Sequence, residues 1–127
     1  MNEPIAPASI APPAAQYSLA VLTTSPSRLL HTAGVVPVAP DGSVPASLAE
    51  QAEQVWSNLL VILGEAGMEA TDVVSMTTYV VEGNDLATAM AARDRAMAGH
   101  LPASTLVLVP ALARPEWRVE VALVAAR

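Results

Sequence analysis

The chain has no cysteine, no lysine and no phenylalanine, and only 14% of its 127 residues are charged. Each absence closes off a kind of chemistry. Without cysteine there is no disulfide, no thiolate metal site and no thiol nucleophile. Without lysine, six arginines stand against twelve acids, for a net charge of −6. No basic cluster interrupts that balance, so a nucleic-acid groove or an anionic membrane surface finds no counterpart here. No apolar run approaches the length of a membrane span. The start, Met1-Asn2-Glu3-Pro4, has neither the basic region nor the apolar core of a secretory signal. A cytoplasmic setting is expected. His31 and His100 have no histidine, cysteine or acid at ligand spacing, so no metal site is expected either. There is no phosphate loop, dinucleotide fingerprint or nucleophile elbow.

What remains is apolar. Hydrophobic residues make up 53% of the chain, most of them alanine and valine. The length is that of one domain. Two short helices on a sheet leave its other face needing cover, and so little charge argues against a wet one. An oligomer that buries that face is expected.

Residues 1–15, rich in proline and alanine, read as an extended arm, with one domain over residues 16–127. Tyr17–Leu22, Arg28–Ala33 and Val36–Ala39 look like short strands, separated by Ser25-Pro26-Ser27 and Gly34 and followed by the turn Pro40-Asp41-Gly42. Ser47-Leu48-Ala49-Glu50 is a capping box. Ala52, Val55, Leu59, Ile62, Leu63 and Ala66 then recur at helical spacing until Gly67. Val73–Val81 is a β-branched strand. Asp85–Ala98 fits a second helix, capped by Asn84 and ended by Gly99, and Ser104–Val109 and Glu116–Ala125 are strands. The order β-β-β-α-β-α-β-β predicts a two-layer α+β fold, a mixed sheet with both helices on one face.

One carboxylate interrupts the last strand. Strand alternation places Trp117, Val119, Val121 and Leu123 on one face and Arg118, Glu120, Ala122 and Val124 on the other. Among such neighbours Glu120 either reaches solvent beside Arg118, finds another partner, or sits desolvated where its charge is costly.

The ordered set Thr32-Ala33-Gly34, Pro37, Asp41-Gly42, Gln51, Asn58, Glu65-Ala66-Gly67, Asp72-Val73-Val74, Pro102-Ala103-Ser104-Thr105 and Val119-Glu120-Val121 resembles the Rid family of reactive-intermediate deaminases, also called YjgF-like. The resemblance runs from about Tyr17 to the C-terminus. It implies a chorismate-mutase-like fold, a homotrimer with pockets at the subunit interfaces, and hydrolysis of 2-imino or enamine acids with no metal or organic cofactor. Family members grip the substrate carboxylate with the arginine of a Pro-Ala-Arg-Ser motif. A glutamate in the last strand handles water, and a tyrosine and a serine-glycine turn line the pocket.

Only part of that machinery matches. Glu120 and Tyr17 fall on the family glutamate and tyrosine, and Gly34 on the turn glycine. The arginine position is Ser104, the turn serine is Ala33, the next residue is Val35, and Met90 stands where asparagine is usual. An arginine–carboxylate pair is bidentate and contributes about 1.5–3 kcal/mol net, so its loss implies roughly tenfold to a few hundredfold weaker carboxylate binding. From Ser104 alone, the pocket is expected to suit a neutral or cationic molecule, and efficient 2-imino-acid deamination is not expected. Arg93, on the apolar stripe of the second helix, is the one candidate replacement; the alternative is that it snorkels to solvent. Catalysis by Glu120, with Tyr17, Ala33, Gly34, Ser104 and Arg93 binding substrate, stands beside two other readings. One is a non-catalytic binding or regulatory trimer; the other is an endoribonuclease or translation inhibitor, which the acidic charge disfavours.

Overall fold

Ser47 caps the first helix through its hydroxyl, which accepts from the Glu50 amide at 3.2 Å. In the computed structural model, which describes residues 1–127, that helix, α1, runs Leu48–Glu65. The strands are β1 (Asn2–Ile5), β2 (Ala20–Thr23), β3 (Leu29–His31), β4 (Val73–Val81), β5 (Ala103–Val109) and β6 (Val119–Ala126), and the second helix is α2 (Leu86–Met97). Four strands make a mixed sheet in the order β3-β6-β4-β5, with β4 and β5 parallel and the other pairs antiparallel. The parallel pair requires a crossover, and α2 supplies it.

One face of that sheet is the core. Met76, Val80, Val119, Val121, Leu123 and Ala125 are buried with Val55, Trp56, Leu59 and Leu63 of α1 and Ala89, Ala92 and Met97 of α2. The residues between them in β4 and β6 are only half-buried, as strand alternation demands of a sheet with helices on one side. The expected α+β architecture holds.

Four details differ from the sequence reading. The start of the arm is a strand: β1 pairs antiparallel with β2, Asn2 opposite Thr23 and Pro4 opposite Val21. Proline is tolerated because the pair is a separate two-stranded sheet, all edge. Tyr17–Leu22 shortens and shifts to Ala20–Thr23. Val36–Ala39 is not a strand. The Val38 amide donates to Val36 O at 2.8 Å in a tight local turn, and Asn58 Nδ2 of α1 donates to Val38 O at 3.0 Å. Helix α2 is capped by Asp85, whose carboxylate accepts from the Ala87 amide at 3.1 Å, and not by Asn84, which turns back to Val81 O.

A buried polar residue of α1 fixes the chain that leads into the last strand. Gln51 is fully buried and fully used: Nε2 donates to Pro45 O (2.9 Å) and Glu116 O (2.8 Å), and Oε1 accepts from the Arg118 amide (2.8 Å). It thereby holds the start of β6 against the start of α1. Replacing Gln51 with Ala leaves buried backbone groups unpaired. Urea denaturation should show a loss of about 2–4 kcal/mol, and a loss under about 0.5 kcal/mol would contradict this role.

Candidate functional site

The pairing of β3 with β6 contains an irregularity that builds one half of the site. His31 lies opposite Val124, but Val35 bridges Val121, so the chain takes one more step on the β3 side. The extra residue is a bulge, and bulges bend a strand and re-aim what it carries. Thr32 seals it, because its hydroxyl accepts from the Leu123 amide at 3.0 Å where a backbone carbonyl would otherwise serve. The bulge lays Gly34 against the Glu120 side chain. A Cβ placed on Gly34 would overlap the Glu120 carboxylate and lie 2.7 Å from its Cδ. Any side chain at this position would push the Glu120 carboxylate aside. Ala33 is exposed beside Gly34.

Glu120 projects from the open face of β6, half-buried, next to Tyr79, its partner across the ladder in β4. No hydrogen bond or ion pair engages its carboxylate. Arg118, the expected neighbour, reaches instead to Asn84 Oδ1 at 3.4 Å. The carboxylate is left with free acceptor capacity.

The second half of the site lies elsewhere. Ser104 pairs with the core residue Met76, so it stands on the helix face of edge strand β5. There it lines a cleft of about 190 Å³ together with Ala15, Tyr17, Met90, Arg93 and Leu106. Tyr17 is brought in by a local turn, its amide donating to Ala15 O at 3.0 Å, and by Ser18, which bridges Ala103 and whose amide donates to Pro102 O at 2.9 Å. Arg93 does not run to solvent: it is 4% exposed. Its Nε donates to Asp94 Oδ1 at 3.0 Å, and Nη1 stands 3.5 Å from Ser104 Oγ, the outer limit of a hydrogen bond.

The structure therefore brings Tyr17, Met90, Arg93 and Ser104 together, and Gly34 and Glu120 together, but it does not unite the two sets. They occupy opposite faces of the same sheet. Sequence reasoning missed Ala15 and Leu106 in the cleft and Tyr79 beside Glu120. The alternation of β4, which puts Thr77, Tyr79 and Val81 on the open face, was the available signal for the last. The histidines lie outside both sets. His31 is exposed in β3, His100 Nε2 contacts Val73 O at 2.7 Å, and no group of histidine and acid side chains is arranged to hold a metal ion. No helix is long and apolar enough to cross a membrane.

A fold and a half-formed site of this kind define a class. The family profile described as Endoribonuclease L-PSP matches residues 8–127, and the chain belongs to this family, the Rid or YjgF-like proteins. Among its relatives, the 2-iminobutanoate/2-iminopropanoate deaminase of Escherichia coli K12 is 34% identical over 104 residues, covering 79% of this chain and 80% of its own. The protein of the same description from Rattus norvegicus is 33% identical over 111 residues, covering 86% and 78%. Of the similar solved structures, the Rid-family protein YyfB of Yersinia pestis superposes with a TM-score of 0.85 at 31% identity, covering 99% of this chain and 98% of its own. Escherichia coli TdcF with bound serine gives 0.73 at 27%, covering 96% and 93%.

Replacing Gly34 with Ala tests the close approach directly. The glutamate is flexible, so the variant should fold with a stability loss under about 1 kcal/mol while the Glu120 carboxylate swings off the bulge. A crystal structure of the variant with Glu120 in its original rotamer would contradict the contact.

Proposed function

We propose that this protein is a cofactor-independent hydrolase of reactive imine or enamine intermediates, working in a pocket that forms where copies of the chain meet. The observation that carries the reading is the unpartnered Glu120 carboxylate, held over Gly34 on the open face of the sheet. The imine reacts as its iminium, already protonated on nitrogen by solvent. A water adds to the C=N carbon, giving one proton to a base. The carbinolamine then collapses: the carboxylic acid returns its proton to the amine nitrogen, the C–N bond breaks, and the hydroxyl proton leaves with the departing ammonia as ammonium while the carbonyl forms. A carboxylate with free acceptor capacity is thus the base of the first step and the acid of the second. Tyr17 and Ser104 supply neutral hydrogen-bond donors for the polar groups of the intermediate.

The separation of the two half-sites supports a shared pocket. A carboxylate on the open face and a cleft at the β5 edge are different surfaces, so their meeting is head-to-tail, and a head-to-tail contact forms a ring when its rotation closes. A homotrimer would cover the open face and complete one pocket at each of its interfaces. Val107, 37% exposed on the open face of β5, and Leu108, 49% exposed on its helix side, give the β5 edge apolar surface. The relatives described as 2-iminobutanoate/2-iminopropanoate deaminases point to the same chemistry.

An RNA-cleaving role, which the family description suggests, finds little support in the distribution of arginines. Arg93 is buried against Asp94 and Arg95 is paired with Glu53, so no basic stripe forms.

Steady-state hydrolysis of freshly generated 2-iminobutanoate is the test. Wild type should turn over, and Glu120→Gln should lower kcat about a hundred- to ten-thousandfold without changing the melting temperature or the trimeric mass by light scattering. Equal turnover in the variant would refute the assignment. Melting shifts with ligand but no turnover in wild type would mark a binding trimer instead.

A further inference from the structure

Arg93 is a buried cation with donors to spare. Its side chain is 5% exposed, and arginine is almost never so buried unless paired. A guanidinium carries five N–H donors. Asp94 Oδ1 occupies one side of it, accepting from Nε at 3.0 Å and lying 2.9 Å from Nη2. The N–H directions of Nη2 miss that oxygen, so Nη2 has no hydrogen bond, and Nη1 has only the long contact with Ser104. The terminal Nη1–Nη2 edge is thus the unsatisfied one. Arg93 itself lines the cleft with Tyr17, Met90 and Leu106. Buried donors without acceptors are costly, and a bidentate carboxylate is the acceptor that matches this edge.

We infer that Arg93 is the carboxylate clamp of this site, delivered from helix α2 to the place beside Ser104. The substrate is then a 2-imino acid or its enamine tautomer, not a neutral or cationic molecule. This rests on the hydrolase reading above and reverses the expectation drawn from Ser104 alone. Asp94 holds the guanidinium's orientation and offsets part of its charge, so recognition depends on donor geometry more than on net attraction. Met90 and Leu106 leave an apolar wall beside the clamp, which fits a short aliphatic side chain on the substrate.

The test compares wild type, Arg93→Met and the double variant Arg93→Met/Ser104→Arg. The readouts are 2-iminobutanoate kinetics and calorimetric binding of 2-oxobutanoate and its neutral amide. Arg93→Met should raise KM about tenfold to a few hundredfold, with kcat within about threefold, because a clamp binds ground and transition states alike. 2-Oxobutanoate binding should weaken by the same factor and binding of the amide should not change. The added arginine at position 104 should recover carboxylate binding. Unchanged 2-oxobutanoate binding in Arg93→Met, or equal loss of acid and amide, would overturn the clamp. If Arg93→Met does not fold, Arg93→Lys replaces it: selective weakening of the acid supports the clamp, and equal effects on both ligands overturn it. If the acid binds through Arg93 but wild type hydrolyses no imine, the clamp stands and the hydrolase reading fails.

Discussion

Strand β6 carries two duties one residue apart, and the rest of the molecule follows from keeping them separate. Val119, Val121, Leu123 and Ala125 close the core beneath the helices. Glu120 lies between two of them and must face the other way, because successive side chains in a strand alternate. A slip of one residue would bury the carboxylate among the apolar side chains of α1 and expose the core. Register is therefore held from several directions. The ladder with β4 runs along one edge, the bulge sealed by Thr32 along the other, and Gln51 pins the residues that enter the strand. The same devices that secure stability fix where the carboxylate stands.

That fixation has a consequence for assembly. Glu120 and Gly34 belong to the open face, while Tyr17, Met90, Arg93 and Ser104 belong to a cleft on the helix side of the opposite edge. A rigid sheet separates them, and no side-chain motion carries one set to the other. Under the proposed hydrolase reading, chemistry that needs both a base and a binding pocket would draw them from two copies. A ring of copies would then explain why each surface carries only a half-site.

The sequence spelled out elements whose signals are local. The Ser47–Glu50 box set the start of α1, and the β-branched run from Val73 to Val81 coincides with β4. Where two neighbours compete on equal terms, as Asn84 and Asp85 do for the cap of α2, local chemistry cannot choose. Val36–Ala39 has strand-like composition, but its carbonyls are claimed by Asn58 from a distant helix, a tertiary effect outside any short window. The pairing of β1 with β2 was hidden in the same way, since Pro4 argues against a strand until its edge position is known. At the site, Glu120 was legible because a carboxylate in an apolar run is anomalous, and Gly34 because it matches the family's turn glycine. Arg93 was ambiguous. Its place on the apolar stripe pointed inward, its charge pointed outward, and the contacts with Asp94 and Ser104 decide for inward.

The central claim is that each pocket takes its base from one copy and its cleft from another. Mixing two inactive proteins tests it most directly: Glu120→Gln, and Met90→Trp with its cleft filled. Trimers are dissociated together and reassembled before 2-iminobutanoate hydrolysis is assayed. Shared pockets predict recovered activity, because the intact Glu120 of one variant meets the open cleft of the other. Mixed trimers that stay as inactive as their parents would place base and cleft in the same copy and contradict the account.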